Sequence, residues 1–224
     1  MIGDIHGRAD LLEALLDTLD DRPVLVAGDL CDRGPETDRV LELLIARGAI
    51  GVMGNHDLWL GAWAAGEGFD PFALSYAMGG YTTLRSYGVA ASVEAARAAG
   101  ATETGPLPPA HTDFLLGLHL VIDLEVAGKP YWVIHAGVPS DRERAGVASE
   151  GIVPWFAEHH PTDLMWRKTP PETMLPVDRP IIMGHCPRPE PLDLGHVLAI
   201  DTGAGHGHAL TALRLPERDF VTVR

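Results

Sequence analysis

Five short blocks of this chain carry glycine beside side chains of the kind that bind metal ions, and four of them follow an apolar run of strand length. Pro23 to Ala27 leads into Gly28-Asp29-Leu30-Cys31-Asp32-Arg33-Gly34, and Ile50 to Met53 into Gly54-Asn55-His56-Asp57. Lys129 to Ile134 leads into His135-Ala136-Gly137, and Ile181 to Met183 into Gly184-His185; the remaining block, Gly3-Asp4-Ile5-His6-Gly7, opens the chain. Glycine lets the backbone turn tightly where a strand ends. In an extended segment Asp4 and His6, one residue apart, point to the same side, which suits chelation of one ion. Each block alone is ordinary, because an Asp or Asn after a strand is most often a turn or cap residue. Five in one chain ask for a sheet protein whose strand ends converge on one site.

The rest of the composition permits this. The chain has 224 residues, 46% of them apolar and 21% charged, which is the balance of a globular protein with a substantial core rather than of a disordered one. We expect one domain over 1–224. The formal net charge is −14 without a run of Lys and Arg, so a nucleic acid would meet repulsion and is not an expected partner. Two cysteines are too few for a disulfide framework, and nothing at the start has the layout of a signal peptide, so a cytoplasmic setting is expected. No apolar run reaches the ~18 residues of a membrane span, and no membrane partner is expected. Oligomeric state is not legible.

Helix and strand patterns alternate along the chain without a repeat, which argues for α/β organisation. Leu11, Leu12, Leu15, Leu16 and Leu19 form one helical stripe with Asp10 as the expected cap. Val40 to Ala46 reads as a second helix stopped by Gly48. The stretch 58–110 is expected to form a helical cap region. After it, Leu118 to Val126 and Lys129 to Ile134 flank Ala127-Gly128 as a β-hairpin, with later strands at 181–183, 197–200 and 209–215.

Taken in order, the five blocks resemble the signature blocks of the phosphoprotein phosphatase family. Gly79-Gly80 with Thr83-Leu84, Ser86-Tyr87-Gly88, and Asp201-Thr202-Gly203-Ala204 also resemble bacterial members. The resemblance spans almost the whole chain. It implies a calcineurin-like metallophosphoesterase fold, α/β, in which two mixed β-sheets pack face to face between helical layers and a two-ion site sits at the sheet edge. Position by position it implies that Asp4 and His6 hold one metal, that Asn55, His135 and His185 hold the other, and that Asp29 bridges both. Oxygen and imidazole ligands suit Mn²⁺, Fe or Zn²⁺, of which Mn²⁺ is the expectation. Two such ions activate a shared water for direct attack on phosphorus, and the chain offers no Gly-x-Ser-x-Gly nucleophile in its place.

The resemblance further implies that His56 is the general acid, that Asp32 orients it, and that Arg33 binds the phosphate oxygens, with Arg167 of Leu164-Met165-Trp166-Arg167 as a second guanidinium. His111, His119, His159, His160, His196, His206 and His208 match no block. Cys31 and Cys186 read as small packed hydrophobes. The family's first block normally follows a β-strand, for which only Met1, Ile2 and Gly3 remain, so the expectation is that the true start lies upstream. Asp57 stands where Glu is common. The expected activity is hydrolysis of phosphomonoesters, foremost phosphoserine and phosphothreonine in proteins, or of small phosphoesters. The alternative is a symmetrical dinucleoside polyphosphate hydrolase, and a silent metal-dependent binding module is a third reading. Asp32 decides the order, because the symmetrical diadenosine tetraphosphatases tend to lack an acid there.

Overall fold

A computed structural model describes residues 1–89, 94–95, 107–136, 165–174 and 176–224. Helix α1 (Ala9–Leu16) buries Leu11, Leu12, Leu15 and Leu16 on the stripe that the sequence predicts. Asp10 does not cap it: Arg8 precedes the first helical residue, and Asp10 lies in the first turn with its carboxylate 2.6 Å from the Arg8 guanidinium. There it still faces the positive end of the helix dipole. Strand β1 (Leu25–Val26), helix α2 (Thr37–Ala46), strand β2 (Ile50–Gly51) and helix α3 (Asn55–Ala64) follow. Helix α2 begins three residues before the expected Val40, and Gly48 closes it with a positive φ of 58°.

Helices α4 (Gly80–Ser86) and α5 (Pro109–Leu116) precede the strand-rich second half, β3 (Val121–Val126), β4 (Lys129–Ile134), β5 (Ile181–Met183), β6 (Leu192–Asp193), β7 (Val197–Ala199), β8 (Leu210–Arg214) and β9 (Asp219–Val223). The expected hairpin is present as β3 and β4, with Ala127 and Gly128 both at positive φ, as a two-residue hairpin turn requires. Gly137, Leu164, His159 and His160, and parts of 58–110, lie outside the described residues.

The strands form two sheets. In one, β1 and β2 are parallel and β8 and β9 antiparallel, and Ile2 joins the two pairs by bridging Val26 on one side and Ala212 on the other. In the other the order is β3-β4-β5-β7-β6, with β4, β5 and β7 parallel. Strand alternation sorts the side chains into layers. Tyr131, Val133, Ile182 and Leu198 of the second sheet meet Ala27, Val52 and Leu213 of the first in a shared core between the sheets. Each fully buried Leu or Ile there contributes about 1.5–3 kcal/mol relative to exposure. The opposite face of the first sheet, with Val26, Leu210 and Ala212, packs against α1, α2, α3, α4 and α5. Trp132, Ile134, Ile181, Met183, Val197 and Ala199 face outward from the second sheet onto Met174. This is the layered α/β arrangement that the resemblance implied, and it brings the C-terminal ends of β1, β4 and β5 together.

Candidate metal centre

At those ends the chain adopts backbone that few side chains tolerate. Among the described residues seven non-glycine positions have φ between +50° and +71°, and five of them are His6, Asp29, Asp32, Arg33 and His185. Left-handed backbone at ordinary residues collects at functional sites. Hydrogen bonds lock two of the loops: the amides of Ile5 and His6 both donate to the Asp29 carbonyl, at 3.0 and 2.9 Å, and that of Gly7 donates to Leu30 at 2.8 Å. Glycine is required where loop meets ligand. A Cβ on Gly54 would stand 2.2 Å from Asp29 Oδ1, and one on Gly184 would stand 1.9 Å from Asp4 Oδ1.

Asp29 lies at the middle of two groups of buried donors, His6–Asp29–His56 and Asp29–His135–His185, each with its ligand atoms within 4.8 Å of one another. Carbonyl partners fix two of the rings. His6 Nδ1 donates to Cys31 O at 2.8 Å and His135 Nδ1 donates to Ala27 O at 2.7 Å, so each ring presents the lone pair of Nε2 inward. His6 Nε2 accepts from Arg33 Nη1 at 2.5 Å and lies 3.5 Å from Asp29 Oδ2, and His135 Nε2 is 3.4 Å from Asp29 Oδ1 and 3.2 Å from both Asn55 Oδ1 and His185 Nδ1. His135 Nε2 and Asp29 Oδ1 set acceptor against acceptor in a buried site, a repulsion that a cation between them would relieve, so this donor set fits divalent ions bound by nitrogen and oxygen. Asp4 Oδ1 and His185 Nε2 are buried without a hydrogen-bond partner, which fits the same ions. Asp4 joins neither group; its other oxygen accepts the His185 amide at 2.9 Å.

Charge follows the same logic. Burial pushes His6 far below its ordinary proton affinity and lowers His185 to about 3, so both are neutral and able to ligate. Burial alone would raise Asp29, but His135 and His56 beside it hold it well below the carboxylate range. Asp4 is raised by burial and then by Asp201 and Asp29.

His56 stands apart in its partners. Its Nδ1 bonds Asp32 Oδ2 at 2.7 Å, and its Nε2 faces inward, 3.2 Å from Arg33 Nη2. Burial works against protonation of the ring, but Asp29 and Asp32 outweigh it and raise its proton affinity, as a proton donor needs. The other oxygen of Asp32 accepts from Thr83 Oγ1 at 2.6 Å, and Gly79 O accepts the Arg33 amide at 3.2 Å, so α4 holds both residues in place. Arg167 is half-buried, next to Trp166, whose ring lies 5.2 Å from that of Trp59.

Three features here escape motif reading. Asp57 is no ligand: Oδ2 accepts the amides of Asp29 at 2.8 Å and Gly54 at 2.9 Å, and Oδ1 that of Leu30 at 2.8 Å, clamping the loop that carries Asp29. Asp201 adds a third buried carboxylate near Asp4, raised to about 6 by burial, and the late Asp201-Thr202-Gly203 stretch is its only signal. Trp59, one helical turn after His56, lies 5.1 Å from the His56 ring and 6.0 Å from Phe72, which is 58% exposed. Cys31 is fully buried and its thiol is raised by burial, as a packed side chain should be.

A two-sheet sandwich whose strand ends gather Asp, Asn and His around a shared carboxylate defines a class. The chain belongs to the calcineurin-like phosphoesterases, whose family model matches residues 1–221. Among individual proteins it is 26% identical to an asymmetrical bis(5′-nucleosyl)-tetraphosphatase, PrpE, of Oceanobacillus iheyensis, over 100% of this chain and 90% of that one. It is 29% identical to a symmetrical bis(5′-nucleosyl)-tetraphosphatase of Paracidovorax citrulli, over 100% of this chain and 95% of the other. The crystal structure of a proposed diadenosine tetraphosphatase superposes with a TM-score of 0.58 at 21% identity, covering 99% of this chain and 90% of that one. No described helix is long and apolar enough to cross a membrane.

Proposed function

We propose that this phosphoesterase hydrolyses dinucleoside polyphosphates, the alternative in the sequence reading, and not foremost phosphoproteins. The observation that carries the choice is the aromatic wall of Trp59, Trp166 and Phe72 against His56, with ring centroids 5.2 to 6.4 Å apart. A nucleobase on the leaving group finds a stacking partner there, which a phosphoserine side chain does not need. The two full-length relatives named for bis(5′-nucleosyl) tetraphosphates support the same reading.

Asp4, His6, Asp29, Asn55, His135 and His185 would hold two divalent ions, Mn²⁺ in our reading, which supply Lewis acidity and a water of lowered pKa. Water oxygen bonds to phosphorus as the bridging P–O bond breaks in line with it. His56 gives its proton to the departing oxygen, and Asp32 keeps the ring in the orientation and tautomer for that transfer. The Arg33 guanidinium, which reaches His6 Nε2 at 2.5 Å and His56 Nε2 at 3.2 Å, binds nonbridging oxygens. Arg167 is the second such group in our reading.

A protein phosphatase remains the second reading, favoured by the intact Asp32–His56 pair. Chelator-stripped protein is assayed with and without added Mn²⁺ on diadenosine tetraphosphate and on a phosphoserine peptide. Mn²⁺-dependent cleavage of the dinucleotide is expected, and its products separate the two cleavage modes: a mono- with a triphosphate, or two diphosphates. Release of phosphate from the peptide alone would reverse the order of the readings.

A further inference from the structure

A cavity of about 550 Å³ adjoins the metal centre, lined by Arg8, Arg188, Arg224, His206 and His208 together with glycines and prolines. Its size is that of a small-molecule site. In a chain with 17 Lys and Arg against 31 Asp and Glu, three arginines and no carboxylate line this one cavity. The turn between its lining residues Gly203 and His206 borders the centre: a Cβ on Gly205 would stand 2.5 Å from His6 Cδ2, and Arg8 Nη1 reaches the carbonyl of Ala204 at 3.4 Å. His206 is close enough to Arg33 and His56 for both to disfavour its protonation, after burial itself.

Each arginine is held by a carboxylate outside the cavity: Arg8 by Asp10, Arg188 by Glu172 and Arg224 by Glu190. Those contacts use only part of the five N–H groups of a guanidinium. Arg188 Nε is buried with no partner, and Arg224 engages Glu190 through Nη2. Donors positioned by outer carboxylates, in a concave site beside a phosphate-hydrolysing centre, match the closely spaced anionic oxygens of linked phosphates.

We propose that this cavity binds the phosphates of a linear polyphosphate nucleotide that lie outside the bond being cleaved. The inference rests on the reading of the centre as a dinucleoside polyphosphate hydrolase. It separates a substrate with several linked phosphates from a phosphomonoester, which fills the metal centre and leaves the cavity open.

The test uses inhibition of 4-nitrophenyl phosphate hydrolysis by tripolyphosphate and by orthophosphate, with Mn²⁺ in molar excess, in wild type, Arg188→Ala and Arg224→Ala. Inhibition constants are independent of any change in turnover, and a chelation effect is common to all three proteins. Loss of a charged hydrogen bond should raise the tripolyphosphate constant about 10-fold or more in each variant while the orthophosphate constant moves less than about 2-fold. The Arg224 side chain is 68% exposed, so Arg224→Ala keeps the experiment decisive even where Arg188→Ala folds poorly. Equal shifts for the two anions, or none, would overturn the cavity proposal. Wild-type enzyme that cleaves the aryl phosphate and leaves diadenosine tetraphosphate intact would instead sink the functional reading, with the anion comparison still deciding the cavity.

Discussion

His56 separates the two halves of the chemistry in one side chain, since its ring touches Asp32 on one edge and the ligand cluster on the other. In the proposed role of proton donor it matters in proportion to how poor the leaving group is. His56→Ala should cut turnover on alkyl phosphates roughly 10²–10⁴-fold, and less on aryl phosphates, with bound Mn²⁺ unchanged by elemental analysis. Equal losses on both substrates would count against the general-acid role. Of the residues proposed as ligands, Asp29, Asn55, His135 and His185 were legible as candidates because they follow apolar runs in sequence, where side-chain type and position are read together. Asp57 was not: only the fold brings its carboxylate under the amides of Asp29 and Leu30, 28 and 27 residues away. Asp32 weighed the readings on narrower ground. An acid there speaks against the symmetrical tetraphosphatases alone, and the asymmetrical relative lies outside that argument.

At the level of elements, strand ends set positions and glycines set distances. Gly184→Ala places a methyl group on Asp4 Oδ1, and displacement of a group that supports a ligand typically weakens metal affinity by about 10–100-fold. Mn²⁺ titration of the stripped variant reads this directly, and affinity equal to wild type would remove Asp4 from the centre. Just past the end of α4, Tyr87 Oη bonds His111 Nδ1 of α5 at 2.9 Å. Burial lowers the proton affinity of His111, so the folded state prefers the neutral ring. Its contribution is therefore whole above the unfolded pKa of about 6.5 and is lost as pH falls through and below it. The gap in melting temperature between wild type and His111→Gln should shrink from pH 8 to pH 5; a constant gap would mean that His111 does not titrate in this window. Strands β4 and β5 were readable from their apolar runs and the hairpin from Ala127-Gly128. Strand β9 was not, because all five of its residues are only half-buried and its pairing partner β8 lies beyond a turn that hydropathy does not mark.

Across the whole molecule, the two-sheet sandwich is held apart from its site: the cores contain the apolar faces, and the strand-end loops contain buried charge. The metal-free protein buries Asp4, Asp29 and Asp201 near one another, where burial and then Asp201 and Asp29 raise Asp4. Mn²⁺ should stabilise it by about 2.7 kcal/mol per site at a hundredfold excess over Kd, which for a chain of this size is roughly 5–11 °C in melting temperature. A thermal scan with no Mn²⁺-dependent shift would remove the metal centre from the account.

The five left-handed backbone positions at His6, Asp29, Asp32, Arg33 and His185 carry a further consequence. Only glycine adopts that conformation without steric cost, which for other residues is about 1–2 kcal/mol each. A library of variants sorted on heat resistance alone, without substrate or metal in the selection, would drift toward glycine at these places and breed a sturdier scaffold that has forgotten its reaction.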